Sequence, residues 1–260
     1  MDIIVSVRGL CKSFGEKTIL RGLDMDFPRG KVTSIIGQSG IGKSVLFKNI
    51  IGIMTPDAGS IVVDGEDITR LPEREKRRIR RRFGYAFQDA ALFDSMTVGE
   101  NISFPLREVL GMKDKKEMQR IVREKLEWIN LPGIEDKFPS ELSGGMRKRV
   151  GVARTLAVEP DILLFDEPTT GLDPVLGASI NALIKRVNEE FGITCIAISH
   201  DIIGTFKIAD RIGFIADGAI KAAGTPDEIA RAEHPILQQF LKNSFTALNI
   251  GDAPPLGDGL

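Results

Sequence analysis

Residues 35–50, IIGQSGIGKSVLFKNI, constrain the chain more than any other stretch. Three glycines, Gly37, Gly40 and Gly42, separate an apolar run from a Lys43-Ser44 pair, after which regular apolar spacing resumes. Val32–Ile36 reads as a buried strand and Lys43–Ile50 as the start of a helix. The spacing Gly37-x4-Gly42-Lys43-Ser44 fits the phosphate-loop pattern. Glycines let the backbone turn tightly and aim several N–H groups at one point, and the following helix directs its positive end there. A plain glycine-rich strand-to-helix turn would not require the Lys-Ser pair. Gly37, Gln38, Ser39, Gly40, Ile41, Gly42, Lys43, Ser44 and Val45 are therefore expected to wrap a nucleoside triphosphate. Lys43 would reach the β- and γ-phosphates, and the Ser44 hydroxyl would ligate Mg2+.

A chain of 260 residues that is 42% hydrophobic can bury one sizeable core, with room for a subdomain. The formal net charge of -1 gives no global field for nucleic acid or an anionic membrane. Two cysteines, Cys11 and Cys195, are too few for a disulfide framework or a zinc site, and a reducing compartment is expected. The opening MDIIVSVRGL lacks the basic-then-apolar order of a secretory signal. No run approaches the ~18 apolar residues of a membrane helix, so membrane work would fall to a partner.

Strand-like runs at 3–7, 18–20, 23–27 and 32–36 open the chain, and Asp64-Gly65 signals a hairpin. A basic helical segment at 73–82 leads into the strand-like FGYAFQ. From about 89 to 160 the pattern is helical, with a periodic segment at 113–130 and a helix opening near Gly144. Buried-strand patterns return in DILLFDE and ITCIAISH, before a hairpin across Asp217-Gly218. The expected architecture is an α/β core of phosphate-loop type with an N-terminal antiparallel part. The core covers about 1–88 and 160–243, a helical insertion covers 89–159, and 244–260 form an irregular arm.

Two more constellations bear on chemistry. In Asp161-Ile-Leu-Leu-Phe-Asp166-Glu167, four apolar residues between acids read as a strand buried on both faces. Its C-terminal carboxylates would sit at the crevice where open α/β sheets bind ligands. Asp166 is suited to hold Mg2+ through a water, and Glu167 to polarise an attacking water. Ser143-Gly144-Gly145 before an amphipathic helix reads as an N-cap, yet the same geometry makes a second anion site. One ATP gripped by the first site of one subunit and the second of another would account for both.

With these motifs in place the chain resembles, over nearly its full length, the ATPase subunits of ATP-binding-cassette transporters. The signature motif is residues 142–145, the glutamine loop is Gln88 in YAFQDAALF, the D-loop is Leu172-Asp173, and the switch histidine is His200 in AISHD. The resemblance implies Phe14 as the ring stacked on adenine, Gln88 as a contact of the nucleotide and its metal, and His200 as a γ-phosphate contact. It implies Lys43, Glu167 and His200 as the catalytic set, ATP and Mg2+ as ligands, and Ser44, Gln88 and Asp166 around the metal. It also implies a head-to-tail dimer of two copies, with Asp173 at the subunit interface.

Met146-Arg147-Lys148-Arg149 replaces the glutamine that continues the signature in most importer cassettes. Together with FQDAALFDSMTVGENISFPL it is similar to the ATPases of bacterial Mla and Mce-type systems. That resemblance implies a membrane permease and an MCE-domain lipid-binding protein as partners, with a STAS-domain regulator in some systems. Location would be peripheral, on the cytoplasmic face of the inner membrane. A methionine or polar-amino-acid importer cassette is the alternative within the class. A soluble cassette acting on nucleic acid is less well supported, because neither a long coiled-coil insert nor a second cassette is present. The seven basic residues within 74–82 are interleaved with an acid and read as a solvated helix face, with no nucleic-acid partner expected. No Asn-Lys-x-Asp guanine motif occurs.

Overall fold

The computed structural model describes residues 1–246, and the chain divides into two compact units. One comprises Met1–Pro72 and the stretch from Ile198 onward, and the other Glu73–Ala197. The chain enters the first unit through β1 (Ile3–Phe14), β2 (Lys17–Pro28), β3 (Val32–Ile36), α1 (Lys43–Ile50), β4 (Ala58–Val63) and β5 (Glu66–Asp67). The second unit holds α2 (Glu73–Arg80), β6 (Phe83–Ala86), α3 (Val98–Glu108), α4 (Lys115–Trp128), a 3-10 turn, α5 (Gly144–Leu156), β7 (Ile162–Asp166) and α6 (Pro174–Phe191). β8 (Thr194–Ser199) closes it and carries the chain back to α7 (Ile202–Ile208), β9 (Arg211–Ala216), β10 (Ala219–Gly224), α8 (Pro226–Arg231) and α9 (Pro235–Thr246).

In the first unit β2, β1, β4 and β5 form an antiparallel sheet in that order. β2 joins the two short apolar runs of the sequence into one strand. Register shifts along its pairing with β1 absorb the irregular spacing of apolar residues. Asp64 (φ 51°) and Gly65 (φ 81°) make the left-handed turn expected between β4 and β5. β3 runs parallel to β9, with Ile36 opposite Phe214, and β10 returns antiparallel across Asp217-Gly218. All five β3 residues are buried, as a strand covered on both faces requires. Phe27, Phe47, Phe214 and Leu237 are fully enclosed and anchor this unit's core.

In the second unit β6 runs parallel to β7, with Tyr85 opposite Leu164, and β8 lies on the other side of β7. Its helices start where capping chemistry permits. Thr97 and Glu100 form a capping box on α3, while the side chains of Asp114, Ser143 and Asp173 accept from the first-turn N–H groups of α4, α5 and α6.

The start of the expected C-terminal arm falls inside a helix. Ser244 belongs to the last turn of α9, where its hydroxyl donates to the Phe240 carbonyl at 2.8 Å. The helix persists because Leu237 and Leu241, at helical spacing, bury against Ile36, Phe214 and Ile229. The remainder of the expected arm, 247–260, lies outside the described residues.

Candidate functional site

The first unit carries the phosphate loop. β3 delivers the chain to Gly37, whose backbone passes so close to β9 that an added Cβ would lie 2.5 Å from the Ile215 carbonyl oxygen. Gly42, at φ 111°, caps α1 in a conformation unsuited to other residues. An added Cβ there would come within 2.7 Å of Ile19. Glycine is thus required at both ends of the loop by the neighbouring backbone and side chains. Lys43 is buried, and its ammonium donates to the carbonyls of Gly37 and Gln38 at 2.8 and 3.0 Å, holding the loop as a closed arc. Gln38, Ser39, Gly40 and Ser44 are exposed on this arc, and Ile41 and Val45 are half-buried. Ser44 lies in the first turn of α1, so its hydroxyl sits near the positive end of the helix.

Phe14 ends β1 with its ring about half exposed (49%). The strand end beneath it is fastened by the residue that precedes β4. The Asp57 carboxylate accepts from the Lys12 ammonium at 2.8 Å and from the Ser13 N–H at 2.6 Å, and these bonds hold its pKa below the ordinary carboxylate value. The Lys12 ammonium stands 5.8 Å from the Phe14 ring centroid. His200 lies in the same unit, exposed, immediately after β8. Asp201 next to it caps α7 by accepting from the Gly204 N–H.

The second unit carries the carboxylates. Asp166 is the last residue of β7, half-buried, and Glu167 follows at φ 50°. A left-handed conformation is costly for a side chain with a Cβ, so the turn after β7 must be held by its surroundings. The Thr170 hydroxyl lies 3.4 Å from a Glu167 oxygen. The chain's single tyrosine, Tyr85 on the adjacent strand, donates its hydroxyl to Asp166 at 2.7 Å. Burial pushes the Tyr85 pKa far above the ordinary phenol value, and the Asp166 hydrogen bond and charge add to the shift. Tyr85 therefore remains a donor at any working pH, and it fixes one Asp166 oxygen.

Gln88 is exposed two residues beyond β6. Because β6 and β7 are parallel, Gln88 and the Asp166-Glu167 pair emerge at the same edge. The chain then turns through left-handed Ala90 and Ala91, whose carbonyls accept from the Arg154 guanidinium at 2.7 Å each. The side-chain amide of buried Asn101 donates to the carbonyls of Phe93, Met96 and Thr97. Ser143 is exposed, Gly144 half-buried and Gly145 buried at the start of α5, where the Ser143 oxygen accepts from the Met146 N–H at 3.3 Å. The N-cap anticipated from sequence is present, and the serine proton remains available to an anion. Asp173 is exposed and caps α6 through the N–H groups of Val175 and Leu176 at 2.9 Å.

Sequence reasoning missed Tyr85, Asn101, Lys148 and Arg154. Tyr85, Lys148 and Arg154 act on groups outside their own segments, whereas Asn101 ties its own segment together.

The protein-family model described as ABC transporter matches residues 20–170. A Haemophilus influenzae protein named intermembrane phospholipid transport system ATP-binding protein MlaF is 41% identical, over 92% of this chain and 90% of its own length. The Escherichia coli protein of the same name is 37% identical, over 98% and 94%. A Mycobacterium leprae protein named probable ribonucleotide transport ATP-binding protein mkl is 41% identical, over 93% of this chain and 69% of its own. Among solved structures, cbiO1 from Clostridium perfringens, part of the ABC transporter complex cbiONQ, superposes with a TM-score of 0.82 at 31% identity, covering 95% of this chain and all (100%) of that one. A dimeric ATP-binding cassette in a post-hydrolysis state with ADP and Pi superposes at 0.78 and 31% identity, covering 85% and 98%. The chain belongs to the ABC transporter family. Within that family it is an ATP-binding ATPase subunit, and a pair of such cassettes is the form seen in the dimeric neighbours.

Proposed function

We propose that this chain is the ATP-hydrolysing subunit of a membrane phospholipid transport complex. The observation that carries the reading is 37–41% identity, over more than nine-tenths of the chain, to relatives named for phospholipid transport. Two copies close head-to-tail, each phosphate loop facing the other copy's Ser143-Gly144-Gly145. Phe14 stacks on adenine, Lys43 neutralises the β- and γ-phosphates, Glu167 orients the attacking water, and His200 contacts the γ-phosphate. Hydrolysis removes the phosphate that bridges the two copies, and the pair opens.

Mg2+ fits the proposed ligands chemically. The Ser44 hydroxyl, the Gln88 amide and the Asp166 carboxylate supply only hard oxygen donors, and Tyr85 orients the last of them. Among the described residues no cluster of three or more His, Cys, Asp or Glu could hold a metal ion. The ion would offset the negative charge that develops on the transferred phosphoryl group. Tyr85→Phe is accordingly expected to raise the Mg2+ concentration for half-maximal turnover by about tenfold, the effect usual for such a supporting hydrogen bond. The rate at saturating Mg2+ should change less. A Mg2+ titration of ATPase activity reads both quantities.

Among the described residues no helix is long and apolar enough to cross a membrane, so attachment is assigned to a permease. A groove of about 740 Å3 in the second unit supports this, lined by Tyr85, Phe87, Phe93, Phe104 and Val109, with Arg77, Arg81 and Arg154 also among its lining residues. Phe87 and Phe93 are 49% and 43% exposed, and Phe87 is adjacent to Gln88, so an occupant would press on the segment that reports nucleotide state. Phe93→Glu should reduce permease recovery at least fivefold in co-purification, and unchanged recovery would place the permease elsewhere. The remaining proposed partners are an MCE-domain lipid-binding protein and, on the helical insertion, a STAS-domain regulator. Purification from native membranes with identification of co-purifying chains tests the whole assignment. An MCE-domain protein supports it, whereas an amino-acid-binding protein would favour the importer alternative.

A further inference from the structure

Lys148 lies five residues beyond Ser143, one and a half turns into α5. Its ammonium donates to the carbonyl oxygens of Pro168 and Thr170, at 2.7 Å in each case. Both carbonyls belong to the turn that presents Glu167. That turn starts in a conformation a glutamate adopts at a cost, φ 50°, and its own closing bond, from the Thr170 N–H to the Glu167 carbonyl, is long at 3.2 Å. The Thr170 hydroxyl beside Glu167 is a marginal contact at 3.4 Å. The two charge-assisted bonds from Lys148 are shorter than either of these contacts. Burial lowers the ammonium's pKa, while the carboxylates of Asp89, next to Gln88, and of Glu167 oppose the shift. One lysine therefore ties the helix that opens with the signature motif to the turn bearing Glu167.

We propose that Lys148 is a positioning residue for hydrolysis, through which the signature helix sets the turn that aims Glu167. The proposal rests on Glu167 being the residue that orients water. It gives one rigid element two duties. The first turn of α5 meets the partner copy's nucleotide, and the second holds the carboxylate that serves this copy's own, so each active site senses whether the other is engaged.

The test is steady-state ATPase activity and ATP affinity in the assembled complex for Lys148→Met, which keeps most of the unbranched apolar stem and removes the donors, and for Lys148→Arg, which restores them. Turnover of Lys148→Met should fall at least tenfold with ATP affinity within twofold of the parent, and Lys148→Arg should return to within threefold. In a Glu167→Gln background, Lys148→Met should lower the residual rate by less than twofold, because the two substitutions remove the same step. Turnover of Lys148→Met within twofold of the parent would overturn the proposal, as would a loss of ATP affinity matching the loss of rate. A further tenfold loss on Glu167→Gln would also overturn it. Near-normal turnover of Glu167→Gln alone would instead remove the assignment of Glu167 on which the proposal stands. Should Lys148→Met not fold, Lys148→Gln, one atom shorter and unable to span both carbonyls, should lose at least threefold, and an unchanged rate would count against the proposal.

Discussion

Glu167→Gln is expected to bind ATP with little change and to turn it over at no more than about one hundredth of the parent rate, the range spanned by loss of a positioned general base. The substituted amide has nearly the same shape and keeps an oxygen for the Thr170 hydroxyl, so the strained turn at φ 50° should persist. Charge and basicity are what disappear. Removing a carboxylate near a triphosphate should, if anything, tighten binding, because like charges then repel less. The outcome separates two roles that lie one residue apart. Asp166→Asn should act through Mg2+, raising the metal concentration required, whereas excess Mg2+ should not rescue Glu167→Gln. ATP affinity, turnover and a Mg2+ titration on the same preparations decide the matter. Near-normal turnover in Glu167→Gln would take this residue out of the mechanism.

What was legible in the sequence follows a physical division. The phosphate loop could be read because its determinants are local. A buried strand must end, the chain must turn without side chains, and a helix must start with its N–H groups exposed, all within 16 residues. Asp166 and Glu167 were legible only as acids ending an all-apolar strand, a common pattern that takes on a chemical reading beside a phosphate loop. Phe14, Gln88 and His200 have no such local signature and rested on family resemblance. The supports were not legible at all. Tyr85 reaches Asp166 across 81 positions and Arg154 reaches Ala90 across 64, so their partners become apparent only once strands and helices are placed. The strand limits failed in the same sense. β1 continues through Gly9 and Lys12 to Phe14 because β2 and β4 pair with it on both sides, which its own broken apolar pattern does not announce.

The second large effect concerns the division of one ATP between two copies. Lys43→Ala should lower ATP affinity at least tenfold and abolish turnover. The lysine is expected to supply charge to the phosphates, and its two bonds to the Gly37 and Gln38 carbonyls also keep the loop in its arc. Gly145→Asp should abolish turnover by another route. A Cβ at Gly145 would meet only the Leu176 side chain, at 3.5 Å or more, so the backbone can accept the change. The added carboxylate then opposes a phosphate at the opening of α5, where the bare N–H groups would otherwise attract it. Neither variant alone forms a working site. In a mixed pair, however, the phosphate loop of the Gly145→Asp copy faces the intact Ser143-Gly144-Gly145 of the Lys43→Ala copy, and the two damaged halves face each other. An equal mixture should regain up to about one quarter of parental turnover, half the pairs being mixed and each holding one intact site. It should also regain tight ATP binding at one site per mixed pair, a quantity independent of whether the two sites must fire together. ATP binding and hydrolysis measured before and after mixing discriminate cleanly. A mixture that regains neither would show that each copy hydrolyses ATP without its partner, and full activity of Gly145→Asp alone would remove the signature helix from the site.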